Sequence, residues 1–298
     1  MLLITNRRPV VHLPLAHEGR VEPREVADRF FVSEVPQALG ERREARLAAH
    51  EDGRPDHLAQ IKIGRLLGRQ RPNLGEGHVV GGDGWACWKT YLGRPEGDEL
   101  RLNAMTLLGN GLTNAKHYEE ALSVYEAELA TQRRLGSHPE RILVTRTNIA
   151  LTYQQLRRPE EALQMHEAIL AGRRKLNGQE DSRTLVAAQS YAMSLMNLRR
   201  LEAARSVSTK FVPVARRVLG EGHELTLKMR MLYAGTFYYD ANAALDDLRE
   251  AVKTIEDVER TARRVLGNSH PLTGTLGSVL RDSRARLAAR ETLSAGSA

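Results

Sequence analysis

The chain has 298 residues, of which 27% are charged, 41% hydrophobic and only 5% aromatic, and its net charge is +7 at neutral pH. Abundant Ala, Leu, Arg and Glu favour helix and argue against a β-sandwich, which draws on β-branched and aromatic residues. The single cysteine, Cys87, excludes an internal disulfide framework and zinc sites built on two or more cysteines, and the lack of an apolar run of about 18 residues speaks against a membrane-spanning helix.

The charge is unevenly placed. Residues 1–100 carry 15 Lys/Arg and 15 Asp/Glu, so the entire excess falls in residues 101–298. A basic chain is a candidate for nucleic-acid binding. However, no basic run reaches five residues and no aromatic residues are interleaved with the basic ones, so nucleic acid is not read as the main partner. The opening "MLLITNRRPVVHLPLAHEGR" has arginines within it and acids soon after. That is unlike a secretory signal, and a cytoplasmic location is expected.

Residues 1–84 are read as an irregular, partly helical region broken by Pro9, Pro14, Pro23, Pro36, Pro55 and Pro72, with helical segments over Glu41–His50 and Pro55–Arg69. "NLGEGHVVGGDG", residues 73–84, is a glycine-rich loop without the Gly-Lys-Ser/Thr ending of a phosphate-binding loop. From residue 85 to 290 the pattern becomes periodic, and residues 291–298 are expected to form a flexible tail.

Four phrases within the periodic part end alike: "RRLGSHPE" from Arg133, "RRKLNGQED" from Arg173, "RRVLGEGHE" from Arg216 and "RRVLGNSHP" from Arg263. The aligned leucines Leu135, Leu176, Leu219 and Leu266 are 41, 43 and 47 residues apart. Each unit holds two segments with apolar residues three and four apart, the mark of amphipathic helices. Small residues keep register in both: Gly109, Ala150, Ala192 and Ala234 in the first helix, Ala121, Ala162, Ala204 and Ala251 in the second. A small side chain recurring at one point is expected where two helices cross closely.

Leu108, Gly109, Leu112, Ala121 and Tyr125 resemble the tetratricopeptide repeat signature. Ile149, Ala150, Tyr153 and Ala162 follow it in the second unit, with a departure at His166. The third unit departs at Ser208, and the fourth keeps Phe237 and Ala251 but carries an insertion. The usual period is about 34 residues. The longer second helix here, with its Leu-Gly…His-Pro ending, is similar to the kinesin light chain variety of the repeat. The resemblance implies an all-α solenoid of about four tetratricopeptide-like helical pairs behind a poorly patterned N-terminal region, closed by a last helix near Leu272–Arg290. It implies a protein-interaction adaptor, not an enzyme, with no cofactor. The alternative is a regulatory or structural remnant without its own peptide ligand.

The arginine pairs fall in the last turn of each second helix. There a cation opposes the negative end of the helix dipole, and the following leucine is expected to pack into the next unit. The other reading is a basic ridge for an acidic partner. His138, His223 and His270 recur in the inter-unit loops; one per unit, with no converging carboxylate or cysteine, they read as loop-packing residues and not as metal ligands. No G-x-S-x-G, H-E-x-x-H or similar catalytic motif occurs.

By the same resemblance the first helices line a concave groove, with Asn103, Thr106, Asn110, Thr147, Asn148, Gln154, Gln189, Met193, Asn197, Lys228 and Met231 as candidate peptide-binding residues. Amides can both donate to and accept from an extended backbone, and methionines adapt to varied apolar side chains. Lys228 and Arg230 suggest some acidic character in the ligand. Asn110 and Asn148 would suit a clamp for a C-terminal carboxylate, but Thr106 and Val186 stand where its lysines would be, so a chaperone-tail ligand is not expected.

Overall fold

The computed structural model describes residues 86–295, so the expected segments within residues 1–84 lie outside the described residues. A helical stretch over residues 86–91 leads into the periodic part. Next come α1 (Glu99–Asn114) and α2 (Tyr118–Arg134), α3 (Pro139–Gln155) and α4 (Pro159–Asn177), α5 (Ser182–Asn197) and α6 (Leu201–Leu219), α7 (Glu224–Tyr238) and α8 (Leu245–Leu266), and finally α9 (Pro271–Ala295). No strand occurs among the described residues. Each helix packs on its neighbours in sequence, as in a solenoid of four pairs with α9 lying on α8 and α7. That last helix runs to Ala295, into the stretch expected as a tail.

The small-residue register explains the stacking. Ala150, Ala192 and Ala234 in the first helices and Ala121, Ala162, Ala204 and Ala251 in the second are all at most 3% exposed. Around them run adjoining apolar clusters. One gathers Tyr125, Ile149 and Tyr153; the next holds Leu185, Phe211 and Met229; the last is centred on Leu227, Leu232, Ile255 and Leu276.

Turns within the pairs place Lys116, Arg157 and Arg199 at φ near +60°, one per unit in the first three. The second helices end on Gly136, Gly178, Gly220 and Gly267, all at positive φ, where a residue without Cβ is least strained. Counted from the buried alanines, Gly178, Gly220 and Gly267 are equivalent, and Gly136 alone comes one residue early.

This register corrects two expectations. Leu135 and Leu176 do not pack into the next unit; they are 43% and 37% exposed, whereas Leu219 and Leu266 do pack against the core. Arg173 is not a surface arginine: it takes the position of Gln132, is 8% exposed, and holds Glu140 at 2.5–2.6 Å. The other arginines of the pairs are exposed, and several reach back to carboxylates: Arg134 to Glu96, Arg217 to Glu180 at 2.5 Å, and Arg216 to Glu221 at 2.5 Å. They therefore tie helix ends to loops in addition to offsetting the dipole.

The recurrent histidines have a definite local role. The rings of His138, His223 and His270 accept, through Nδ1, the backbone N–H groups of Glu140, Leu225 and Leu272 at 3.2–3.3 Å. They are the N-caps of α3, α7 and α9, and Asp98 and Asp181 do the same for α1 and α5. A cap satisfies a donor that the first turn leaves without an intrahelical partner. His223→Ala is expected to cost about 0.5–2 kcal/mol, and His223→Asp to preserve or improve stability because a carboxylate also suits the positive helix end. Thermal melts of the two variants check this; equal losses would mean that the ring packs and does not cap.

Candidate functional site

The exposed face of the first helices joins amide and hydroxyl groups with bare apolar side chains. Leu107 on α1, Val144 on α3 and Val186 on α5 are 50%, 37% and 48% exposed. Asn103 is exposed beside them in the row Asn103, Val144, Val186 and Lys228, and Asn148 and Gln189 are half-buried with no side-chain partner among the described residues.

Asn110 is differently held. Its Oδ1 accepts from the Tyr125 hydroxyl at 2.7 Å. That bond occupies the amide oxygen and leaves its NH₂ as a donor without a partner among the described residues. The Thr147 hydroxyl donates to the Leu143 carbonyl at 2.8 Å and keeps acceptor capacity. Thr106 donates inward to Glu128 at 2.7 Å. Gln154 bonds the His166 ring at 3.1 Å, and its own Oε1 is buried without a partner. Asn197 likewise has a buried, unpartnered Oδ1. His166, where the second unit departs from the repeat signature, is buried, and burial pushes its imidazole down to about 4, so it is neutral at pH 7.

Two of the candidate residues prove to be core. Met193 and Met231 are 7% and 3% exposed and belong to the cluster that includes Leu232 and Ile255. The reason is that α5 and α7 pack directly on each other, and the first helices of the preceding pairs do not do so to the same degree. The methionines that a splayed groove would expose are consumed at this contact. The motive for an acidic ligand also falls away. Lys228 pairs with Glu224 at 2.6 Å, and Arg230 is bound by Asp257 at 2.7 Å and Glu221 at 3.4 Å.

A polar cluster went unread in the sequence. Glu128 is 1% exposed, and its Oε1 accepts from Thr106, from Gln132 at 2.8 Å and from Thr145 at 3.2 Å. Burial pushes its carboxyl up to about 7. The signal was available: equivalent positions, seven residues after the buried alanines, hold Ile169, Phe211 and Val258.

Among the described residues there is no helix long and apolar enough to cross a membrane, and no group of three or more His, Cys, Asp or Glu suited to a metal ion.

This architecture defines an α-solenoid built of tetratricopeptide-type helical pairs. Residues 100–175 match the tetratricopeptide repeat family model, and α1 to α4 are repeats of that kind. A candidate kinesin light chain of Podosopora anserina, made of nearly identical TPR-like repeats, aligns with a TM-score of 0.56 at 17% identity, covering 70% of this chain and 98% of that one. A point variant of the same protein aligns with a TM-score of 0.55 at 18% identity, covering 71% and 98%. BtubC (BKLC) from P. vanneervenii aligns with a TM-score of 0.46 at 13% identity, covering 80% and 93%. No curated protein matches the chain significantly. By the first two likenesses the fold is of the kinesin light chain-like repeat type, and stacked repeats of this kind generally present extended surfaces to protein partners.

Proposed function

We propose that the chain is a protein-interaction adaptor that binds an extended peptide segment along the face of its first helices. The supporting observation is the alternation on that face of exposed apolar groups, Leu107, Val144 and Val186, with the available amides of Asn103, Asn110, Asn148 and Gln189. Apolar side chains of a peptide would cover the former, and its backbone would bond the latter. Because Lys228 and Arg230 are already paired, the ligand is read as apolar and uncharged-polar, not acidic. The cytoplasm fits such an adaptor.

The full chain can be screened against a displayed peptide library. With a selected peptide, Asn110→Ala and Asn148→Ala should each weaken binding by about 0.5–1.5 kcal/mol, a factor of roughly 2 to 10. The control is Arg216→Glu combined with Arg217→Glu at the end of α6, which should leave affinity nearly unchanged. If the control abolishes binding and the asparagine variants do not, the arginine ridge is the interface. A chain that selects no peptide would favour the structural role.

A further inference from the structure

The Glu128 cluster lies where the first two helical pairs meet. Thr106 reaches it from α1, Gln132 and Glu128 itself belong to α2, and Thr145 comes from α3. The position is one that the other units fill with Ile169, Phe211 and Val258, each at most 4% exposed. Here a carboxylate replaces the apolar plug. Three donors converge on Glu128 Oε1, yet Glu128 Oε2 and Gln132 Oε1 are both buried without partners. Two acceptors without a protein donor in one buried contact are poorly matched when the carboxylate is charged. A proton on the carboxyl supplies a donor and removes the charge.

We propose that Glu128 makes the contact between the first and second helical pairs a pH-operated joint, closed when its carboxyl is protonated and loosened when it ionises. This is independent of peptide binding. The groups facing Glu128 are the hydroxyls of Thr106 and Thr145, the Gln132 amide, the Arg141 charge from α3 and the Tyr125 phenol on α2. The hydroxyls and Arg141 favour the ionised form, but desolvation outweighs them and leaves the carboxyl at about 7 against its ordinary 4.5.

The sign of the effect follows from linkage. Below about 4.5 the carboxyl is neutral in folded and unfolded chains alike, and the joint contributes fully. Between about 4.5 and 7 the unfolded chain ionises first, so the contribution is progressively lost. Above about 7 the charge must sit in the contact or the contact must open to water. Carboxylates held low by ion pairs, such as Glu140, Asp181 and Asp257, act at lower pH and are shared by any Glu128 variant, so they cancel in a comparison.

Glu128→Gln keeps the shape and removes the titration. Melting midpoints of the full-length wild type and variant should differ least near pH 4.5. The wild type should fall progressively behind up to about pH 8. Hydrogen exchange should localise the change: between pH 5 and 8, amides of α1–α3 in the wild type should speed up about 10- to 100-fold relative to the variant, with those of α7 and α8 unchanged. Should Glu128→Gln fold poorly, the ¹³C carboxyl titration of Glu128 in the wild type decides, with a midpoint near 7 expected. A pH-independent difference between the proteins, acceleration spread equally over all helices, or a Glu128 midpoint in the ordinary carboxylate range would overturn the joint.

Discussion

Met231→Ala should lower stability by about 2–5 kcal/mol, the range for emptying a buried Met, Leu or Ile site. Met231 is 3% exposed and packed in the cluster with Leu232, Ile255 and Leu276, at the place where α7 meets α5 and α8. Truncation removes the thioether from neighbours that are fixed by the helix stacking on three sides, so the cavity collapses only in part. Asn103→Ala, on the exposed face of α1, should stay within about 0.5 kcal/mol of wild type, as for surface sites without special contacts. Denaturant unfolding of both variants gives the comparison. A Met231→Ala protein as stable as wild type, but deficient in peptide binding, would return this residue to the groove.

Gly109→Ala and Gly274→Ala should move stability in opposite directions, although each replaces a helical glycine by the best helix former. The intrinsic gain is about 0.5–1 kcal/mol. At Gly274, on α9, an added Cβ would meet nothing within 4 Å, and the gain should be realised. At Gly109 the Cβ would stand 2.3 Å from Cε1 and 2.6 Å from Cζ of Tyr125. That ring cannot swing away without loss, because it is 2% exposed and its hydroxyl is bonded to Asn110. Overpacking of this kind costs typically about 1–3 kcal/mol, which outweighs the propensity gain. Melting temperatures should therefore fall for Gly109→Ala and rise for Gly274→Ala. A rise for both would show that α1 and α2 are not in close contact at this point. The Gly109 variant should also disturb Asn110, and with it one of the proposed peptide contacts.

Much of this protein is determined locally and was legible in its sequence. Helix formation, the pairing of helices and the close crossings follow from the three-and-four spacing of apolar residues and from small residues held in register, because a helix places equivalent positions on one stripe. Helix ends were legible too: Gly178, Gly220 and Gly267 stop second helices by accepting a left-handed backbone. The histidine before α3, α7 and α9 was visible, but its purpose was not, since capping needs only a side-chain acceptor near the first N–H groups and histidine is an uncommon choice for it.

What the tertiary structure decided depends on how far neighbouring units close on each other. Met193 and Met231 stand at positions expected to line a groove, yet the approach of α5 to α7 buries them. Arg230 looked available until α8 brought Asp257 onto it, whereas the Glu224–Lys228 pair is local, one turn apart on α7. Arg173 looked like one of a surface pair, but it follows its buried alanine one residue sooner than the first arginine of the other three pairs does, and so turns inward onto Glu140. Glu128 showed as an exception to the repeat, but its charge state and its three donors come from three different helices. Periodicity assigns a residue to a face of its own helix; only the packing of the next helix determines whether that face meets water, a core or a counter-charge, because desolvation and pairing depend on groups that are distant in the chain.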